Sequence, residues 1–193
     1  MRKEKNMATS SLDWMGATTA AGAVDYYLKI PTIPGEATAK NFDTPAQISV
    51  EAFNLEVAQT LNIGSQSTGG GAGKITFNPF QIKKHYDAAS PKLFQAACTG
   101  TNLGAVTFSI VKTGSGSADG TTAAKPYLVI SFDKIYVKTI IVETLGAYTM
   151  EVVSFEYGGI AFAYSTMNPT SGALTPATQF GWDRTKNISW TPS

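Results

Sequence analysis

Residues 126–143, PYLVISFDKIYVKTIIVE, decide the fold class. β-Branched and aromatic residues dominate the run, and they fit a pleated strand better than a helix. Leu128, Ile130 and Phe132 alternate and share one face, and then Ile135, Val137 and Ile141 share one. The two sets are out of phase, with Asp133-Lys134 at the shift. A one-residue slip flips the buried face of a strand unless a bulge or a change of sheet absorbs it. The spacing therefore predicts a long strand in two phases, bent so that it serves two sheets.

The same pattern recurs elsewhere. In residues 150–165, MEVVSFEYGGIAFAYS, Val153, Phe155 and Tyr157 alternate, Gly158-Gly159 intervene, and Ile160, Phe162 and Tyr164 take over. Glycines inside strands often mark bulges or barrel corners. In residues 47–60, QISVEAFNLEVAQT, the phase slips near Ala52-Phe53. Further strands are expected at 23–31, 74–85, 103–113 and 179–190. One helix is predicted over about residues 90–99. Ser90 is its expected N-cap, Pro91 suits its first position, and Gly100 fits just past its end. Leu93/Ala97 and Phe94/Cys98 are i,i+4 pairs that predict one short apolar face, with Cys98 a small buried residue on it. Long strands with phase shifts and a single helix give a mainly β class: an antiparallel barrel of two bent sheets. No repeat of solenoid or propeller length is visible.

Composition narrows the function. The 193 residues suffice for one domain with a substantial core. Charged residues are only 15 %, which argues against charge-driven disorder, and the net charge of +1 with no basic cluster beyond the opening MRKEK gives no nucleic-acid footprint. One cysteine excludes an internal disulfide framework, and one histidine, His85, makes a His/Cys metal site improbable. His85 reads as a surface or edge residue at a strand end. No stretch has the apolar core of a signal peptide or the length of a membrane span. The expectation is a chain made in the cytoplasm that leaves the cell, if at all, by another route. Residues 1–22 read as a weakly structured extension and 23–193 as the domain.

The stretch SQSTGGGAGKI, residues 65–75, invites a phosphate-loop reading and fails it. The first glycine of that motif falls on Thr68, the magnesium-binding hydroxyl falls on Ile75, and a strand rather than a helix follows. Asp87, Asp119, Asp133, Glu143 and Glu151 are scattered carboxylates, read as a solvated face without a locatable acid/base pair. The sequon Asn187-Ile188-Ser189 lies in an expected strand and is discounted.

Several segments, in order, resemble one family. AVDYYLKIPTIPGEA looks like the opening strand and following turn of the haemolysin-coregulated protein (Hcp) family of type VI secretion. QISVEAFNLEVAQ resembles its second strand region, with Phe53 and Leu55 at aromatic positions. The most specific piece is GGGAGKITFNPFQIKKHYDAASPKLFQAACTG, residues 69–100, where a glycine-rich loop with G-K precedes a strand, a D-x-x-S/T-P turn and a short helix. Asp87, Ser90, Pro91, Leu93, Ala97, Cys98 and Gly100 fit that pattern. VSFEYGGIAFAY and FGWDRTKN resemble the last two strands, with Phe180 and Asp183 departing by single residues. The resemblance covers about residues 23–190; the N-terminal extension and fuller loops near 114–124 and 165–178 depart from it.

The resemblance implies a β-barrel protomer of hexameric rings. The rings stack head to tail into a tube inside a contractile sheath, meet a spike protein at the tip and carry effectors in the lumen. It implies no catalysis, no cofactor or metal, no nucleic acid and no membrane span. The GGGAGK segment (Gly69, Gly70, Gly71, Gly73, Lys74) becomes a loop of a tube subunit. The 32–46 loop, with Ile33, Pro34, Gly35, Glu36, Lys40, Asn41, Phe42 and Asp43, is the expected ring–ring contact, since it is long and has nothing to bury on its own. Its deletion over residues 38–43 is expected to leave rings but abolish long tubes. Two other readings stay open: the tail-tube protein of a phage-like or extracellular contractile device, and a stand-alone secreted β-barrel binding module.

Overall fold

In a computed structural model of the chain, the residues described are 24–60, 75–112, 124–168, 171 and 173–192. Thirteen strands and one helix are present among them: β1 (Val24–Lys29), β2 (Ile48–Val50), β3 (Ala52–Asn54), β4 (Val57–Gln59), β5 (Ile75–Phe77), β6 (Phe80–His85), α1 (Ser90–Thr99), β7 (Val106–Lys112), β8 (Pro126–Asp133), β9 (Tyr136–Leu145), β10 (Tyr148–Glu156), β11 (Gly159–Met167), β12 (Leu174–Asp183) and β13 (Ile188–Ser189). They form a seven-stranded sheet ordered β13-β12-β11-β8-β7-β1-β2, a four-stranded sheet ordered β3-β6-β10-β9 and a β4-β5 hairpin. Every strand pair is antiparallel.

Each phase shift in the sequence is a change of sheet. Residues 126–143 are two strands: β8 lies in the large sheet and β9 in the small one. The chain turns between them at Lys134, which takes a left-handed φ of 51°. The switch from β10 to β11 is made at Tyr157-Gly158, where the Gly158 N–H donates to the carbonyls of both Asp133 and Lys134. A Cβ on Gly158 would sit 3.0 Å from the Lys134 Cβ, so the two corners pack as a pair that leaves little room for a side chain. The β2–β3 switch falls at Glu51, beside the slip read near Ala52-Phe53. Strands that turn such corners let one chain build two packed sheets.

A second irregularity was not legible. In the β9–β10 ladder Ser154 opposes Thr139 while Phe155 opposes Val137, so Lys138 is bulged out. The bulge reverses the parity of β9. Val137 and Ile140 face the core, and Ile141, expected on the same face as Val137, is exposed instead.

The core lies between the two sheets. Phe80, Phe108, Phe132 and Phe155 are fully buried, and Phe80 contacts the other three with ring centroids 4.7–6.1 Å apart. Offset and edge-on aromatic pairs of this kind add to the free energy of burying their area.

Helix α1 covers one end and departs from expectation at its start and on its outer face. Its N-cap is Ala89, which makes no side-chain cap; Ser90 is the first helical residue and is buried. The cap function passes to Asp87, whose Oδ1 accepts from the Ala89 N–H at 2.9 Å. Gly100 ends the helix with φ 61°, as read. Ser90, Leu93 and Ala96 are buried, an i,i+3,i+6 stripe, and Ala97 packs half buried against the same core, so the expected Leu93/Ala97 pair does face inward. Phe94 is 63 % exposed and Cys98 is a free, exposed thiol, so neither belongs to the core.

Candidate functional site

The expected ring–ring loop is largely folded onto its own subunit. Phe42 stacks on Tyr27 with centroids 4.1 Å apart, and Ala37, Phe42 and Val111 form a second small core. Ile33 is buried in the main core. Backbone N–H groups of Gly35 and Ala37 donate to Ala46 and Gln47 carbonyls, and that of Gln47 donates to Phe42. Asn41 Nδ2 reaches the Ala124 carbonyl at 3.3 Å, and Glu36 accepts from the Ala88 N–H. The loop therefore has a core of its own, contrary to expectation, and Ile33 and Phe42 are not offered to a partner. Of the residues expected at the ring–ring contact, Pro34, Glu36, Lys40, Asn41 and Asp43 are exposed. Gly35 is required by close approach: a Cβ there would lie 2.5 Å from Ile48 Cα and 2.6 Å from the Gln47 carbonyl carbon. The glycine-rich loop with Gly69, Gly70, Gly71, Gly73 and Lys74 lies outside the described residues.

A buried polar cluster went unread in the sequence. Lys84 on β6 and Glu151 on β10 are direct cross-strand partners, both fully buried, with Nζ and Oε1 2.6 Å apart. Lys84 Nζ also reaches Asp87 Oδ1 at 2.8 Å, the His85 carbonyl at 2.7 Å and Ser90 Oγ at 3.1 Å. Ser90 Oγ donates to Glu151 Oε1 at 2.7 Å and accepts from the Asp87 N–H. Two of the carboxylates read as a solvated face, Asp87 and Glu151, are thus drawn onto one ammonium. A serine hydroxyl beside a lysine has the outline of a nucleophile and its base. Here both are buried, and the cluster ties the D-x-x-S-P turn and the helix start to the four-stranded sheet. Asp133 and Glu143 sit apart on β8 and β9, and Asp119 lies outside the described residues. His85 is half exposed at the end of β6, 3.5 Å from Glu51, in the surface position expected of it.

A third cluster holds the corner between the sheets. The Arg184 guanidinium lies over both Phe77 and Tyr157, 5.0 and 4.8 Å from the ring centres, and pairs with Glu156 at 3.0 Å. Tyr157 Oη donates to the Asn78 carbonyl at 3.2 Å. Burial pushes the Tyr157 phenol up to about 12; the Arg184 charge opposes this and Glu156 adds to it. Asp183 accepts from the Thr185 hydroxyl and from the N–H groups of Thr185 and Lys186, and these bonds, the hydroxyl first, hold its carboxyl below the usual range.

Among the described residues two apolar surfaces stand out. Strand β9 is an edge of the four-stranded sheet and runs for ten residues, with Ile141, Val142 and Leu145 exposed. The other is an apolar groove of about 600 Å³ between the β4-β5 hairpin and β11-β12, lined by Val57, Ile75, Phe77, Phe162, Phe180 and Trp182 among others. Among the described residues no cluster of His, Cys, Asp and Glu could hold a metal, and no helix is long and apolar enough to cross a membrane.

This architecture recurs in proteins of known structure. A structure described as a type six secretion system protein superposes with a TM-score of 0.76 at 22 % identity, covering 87 % of this chain and 100 % of that one. Hcp1 from Salmonella typhimurium gives 0.62 at 19 % identity, covering 87 % and 99 %. A type VI secretion system effector from Yersinia pestis gives 0.59 at 21 % identity, covering 82 % and 99 %. No curated protein sequence matches. The family model for the type VI secretion system effector Hcp matches residues 27–164, from β1 into β11, and so takes in the four-stranded sheet, the buried Lys84 cluster, α1 and the seven-stranded sheet short of β12 and β13. The chain belongs to the Hcp family of type VI secretion proteins.

Proposed function

We propose that the chain is a non-catalytic building block of the type VI inner tube, assembling as hexameric rings that stack and enclose a channel for effectors. The observation that carries this reading is the β9 edge. A ten-residue edge strand with exposed apolar side chains is a template for pairing with another chain and an aggregation hazard if left open. The opposite edge of the same sheet, β3, differs from β9 in length and exposure. Joining β9 of one subunit to the β3 side of the next is a head-to-tail contact, and such a contact closes into a ring when its rotation permits. The face of that sheet turned away from the core carries a polar row, half-buried Asn54 and Gln81 and buried Ser154, linked by hydrogen bonds of 3.4 and 3.0 Å. The exposed part of the 32–46 loop, with Pro34, Glu36, Lys40, Asn41 and Asp43, is the proposed axial contact between rings. Sheath, spike and effector proteins are its partners in this reading, and export follows through the injection apparatus. Negative-stain electron microscopy of the purified protein tests it: rings with a central channel, singly or stacked, are expected, and a uniform field of small particles would refute it.

A further inference from the structure

The apolar groove is the buried core continued into the open. In the seven-stranded sheet Leu28, Phe108, Ile130, Phe162 and Phe180 stand opposite one another across successive strands and so share one face. The first three are buried, Phe162 is half buried and Phe180 is 61 % exposed. The neighbouring row ends likewise, running from buried Val106, Phe132 and Ile160 to half-buried Trp182. Among the described residues, a face that is core on β1, β7 and β8 is exposed at β12, and none of those lining the groove that results is charged. Exposed apolar surface of this kind marks an interaction site.

The topology says what fills it. The hairpin strand β4 follows β3 almost directly, so the groove flanks the β3 edge of the four-stranded sheet. The opposite edge, β9, carries Ile141, Val142 and Leu145 in exposed positions, with Val142 55 % exposed. Each molecule therefore presents a concave apolar site, uncharged among the described residues, at one edge of the sheet and an apolar strand at the other. Resting on the ring reading above, we infer that the groove between β4-β5 and β12 is filled by the apolar end of β9 from the adjacent copy. Phe180 is its central anchor. The contact is heterologous, so each subunit gives one groove and receives in one.

Cross-linking reads this geometry directly. In a Cys98→Ser background, Gln59→Cys places a thiol on the groove and Thr144→Cys places one on β9. With a flexible bis-maleimide, the two single variants co-expressed should give mixed dimers, while each expressed alone gives none. Both changes in one chain should give a ladder up to the hexamer. Phe180→Glu should convert ring-sized particles to monomers with an unchanged circular dichroism spectrum. Rings seen by microscopy without the mixed cross-link, or persisting in Phe180→Glu, would overturn this inference and leave the ring reading standing. Dimers from Gln59→Cys alone would also overturn it, because they require a groove-to-groove contact. Absence of rings in the unsubstituted protein would overturn both.

Discussion

Replacing Lys84 by methionine removes the ammonium at the centre of the buried cluster while keeping most of its volume. Lys84 has no exposed surface and contacts four acceptors between 2.6 and 3.1 Å. After the change, among the described residues Glu151 Oε1 keeps only the Ser90 hydroxyl, and Glu151 Oε2 has no hydrogen-bond partner even in the native cluster. Asp87 is better placed, since it retains the Ala89 N–H and is partly exposed. The dominant cost is therefore one uncompensated buried carboxylate. Breaking a buried pair from one side costs about 3–5 kcal/mol. At a urea m-value of about 2 kcal/mol/M that lowers the unfolding midpoint by roughly 1.5–2.5 M. The double variant Lys84→Met/Glu151→Leu removes both charges and should regain most of the loss, because the desolvation cost leaves with the pair. Urea unfolding followed by tryptophan fluorescence, at one protein concentration because assembly adds to stability, measures all three proteins. A loss below about 1 kcal/mol in Lys84→Met, or a double variant no better than the single, would refute the reasoning.

Other outcomes follow from the same geometry. Gly35→Ala forces a Cβ into the Gln47-Ile48 backbone, which cannot rotate away, and should cost about 1–3 kcal/mol, read as a lower melting temperature. Tyr157 should be the last phenol to ionise in an alkaline absorbance titration. Its folded pKa of about 12 lies above the ordinary value, so its contribution to stability is complete below about pH 10 and lost as pH rises through about 12. Asp183 has the opposite sign: its folded pKa is depressed, so its contribution is present above about pH 4 and lost on acidification through the lowered value. Asp183→Asn should therefore flatten the acid limb of a stability–pH curve. Lys40→Glu combined with Asp43→Lys keeps Phe42 in place; rings that no longer stack are expected, and full-length tubes would dismiss the axial role of this loop. Deletion of residues 38–43 is a poorer probe, since it also strips Phe42 from Tyr27 and should destabilise the subunit itself.

The corners of the fold were legible because period-2 alternation reports each change of buried face. Asp133-Lys134 and Gly158-Gly159 mark where the chain leaves one sheet for the other. The Lys138 bulge was not legible, because a single extra residue inside a β-branched run alters parity without any composition signal. Helix α1 is legible from Pro91 and Gly100, and of its two expected inner pairs Leu93/Ala97 packs on the core while Phe94/Cys98 is exposed. With both i,i+3 and i,i+4 pairs available, only packing against the sheet selects Leu93 and Ala96 over Phe94 and Cys98.

The Lys84–Glu151 pair did leave a trace. Lys84 continues the core parity of Phe80 and Ile82, and Glu151 continues that of Val153 and Phe155. A charge of each sign at the next core-facing position of two strands is the pattern that gives away a cross-strand buried pair. Taken alone, Glu151 reads as one more carboxylate of a solvated face; only its pairing with Lys84 across the strands shows otherwise. The 32–46 loop misled for a related reason: without a periodic element, nothing in the sequence shows that Phe42 folds back onto Tyr27.

The most direct test of the central claim is the mass of the purified protein in solution, by size-exclusion chromatography with light scattering. The account predicts a particle of six times the 20.4 kDa chain mass, or multiples of it as rings stack. A single 20.4 kDa species across a wide concentration range would contradict it.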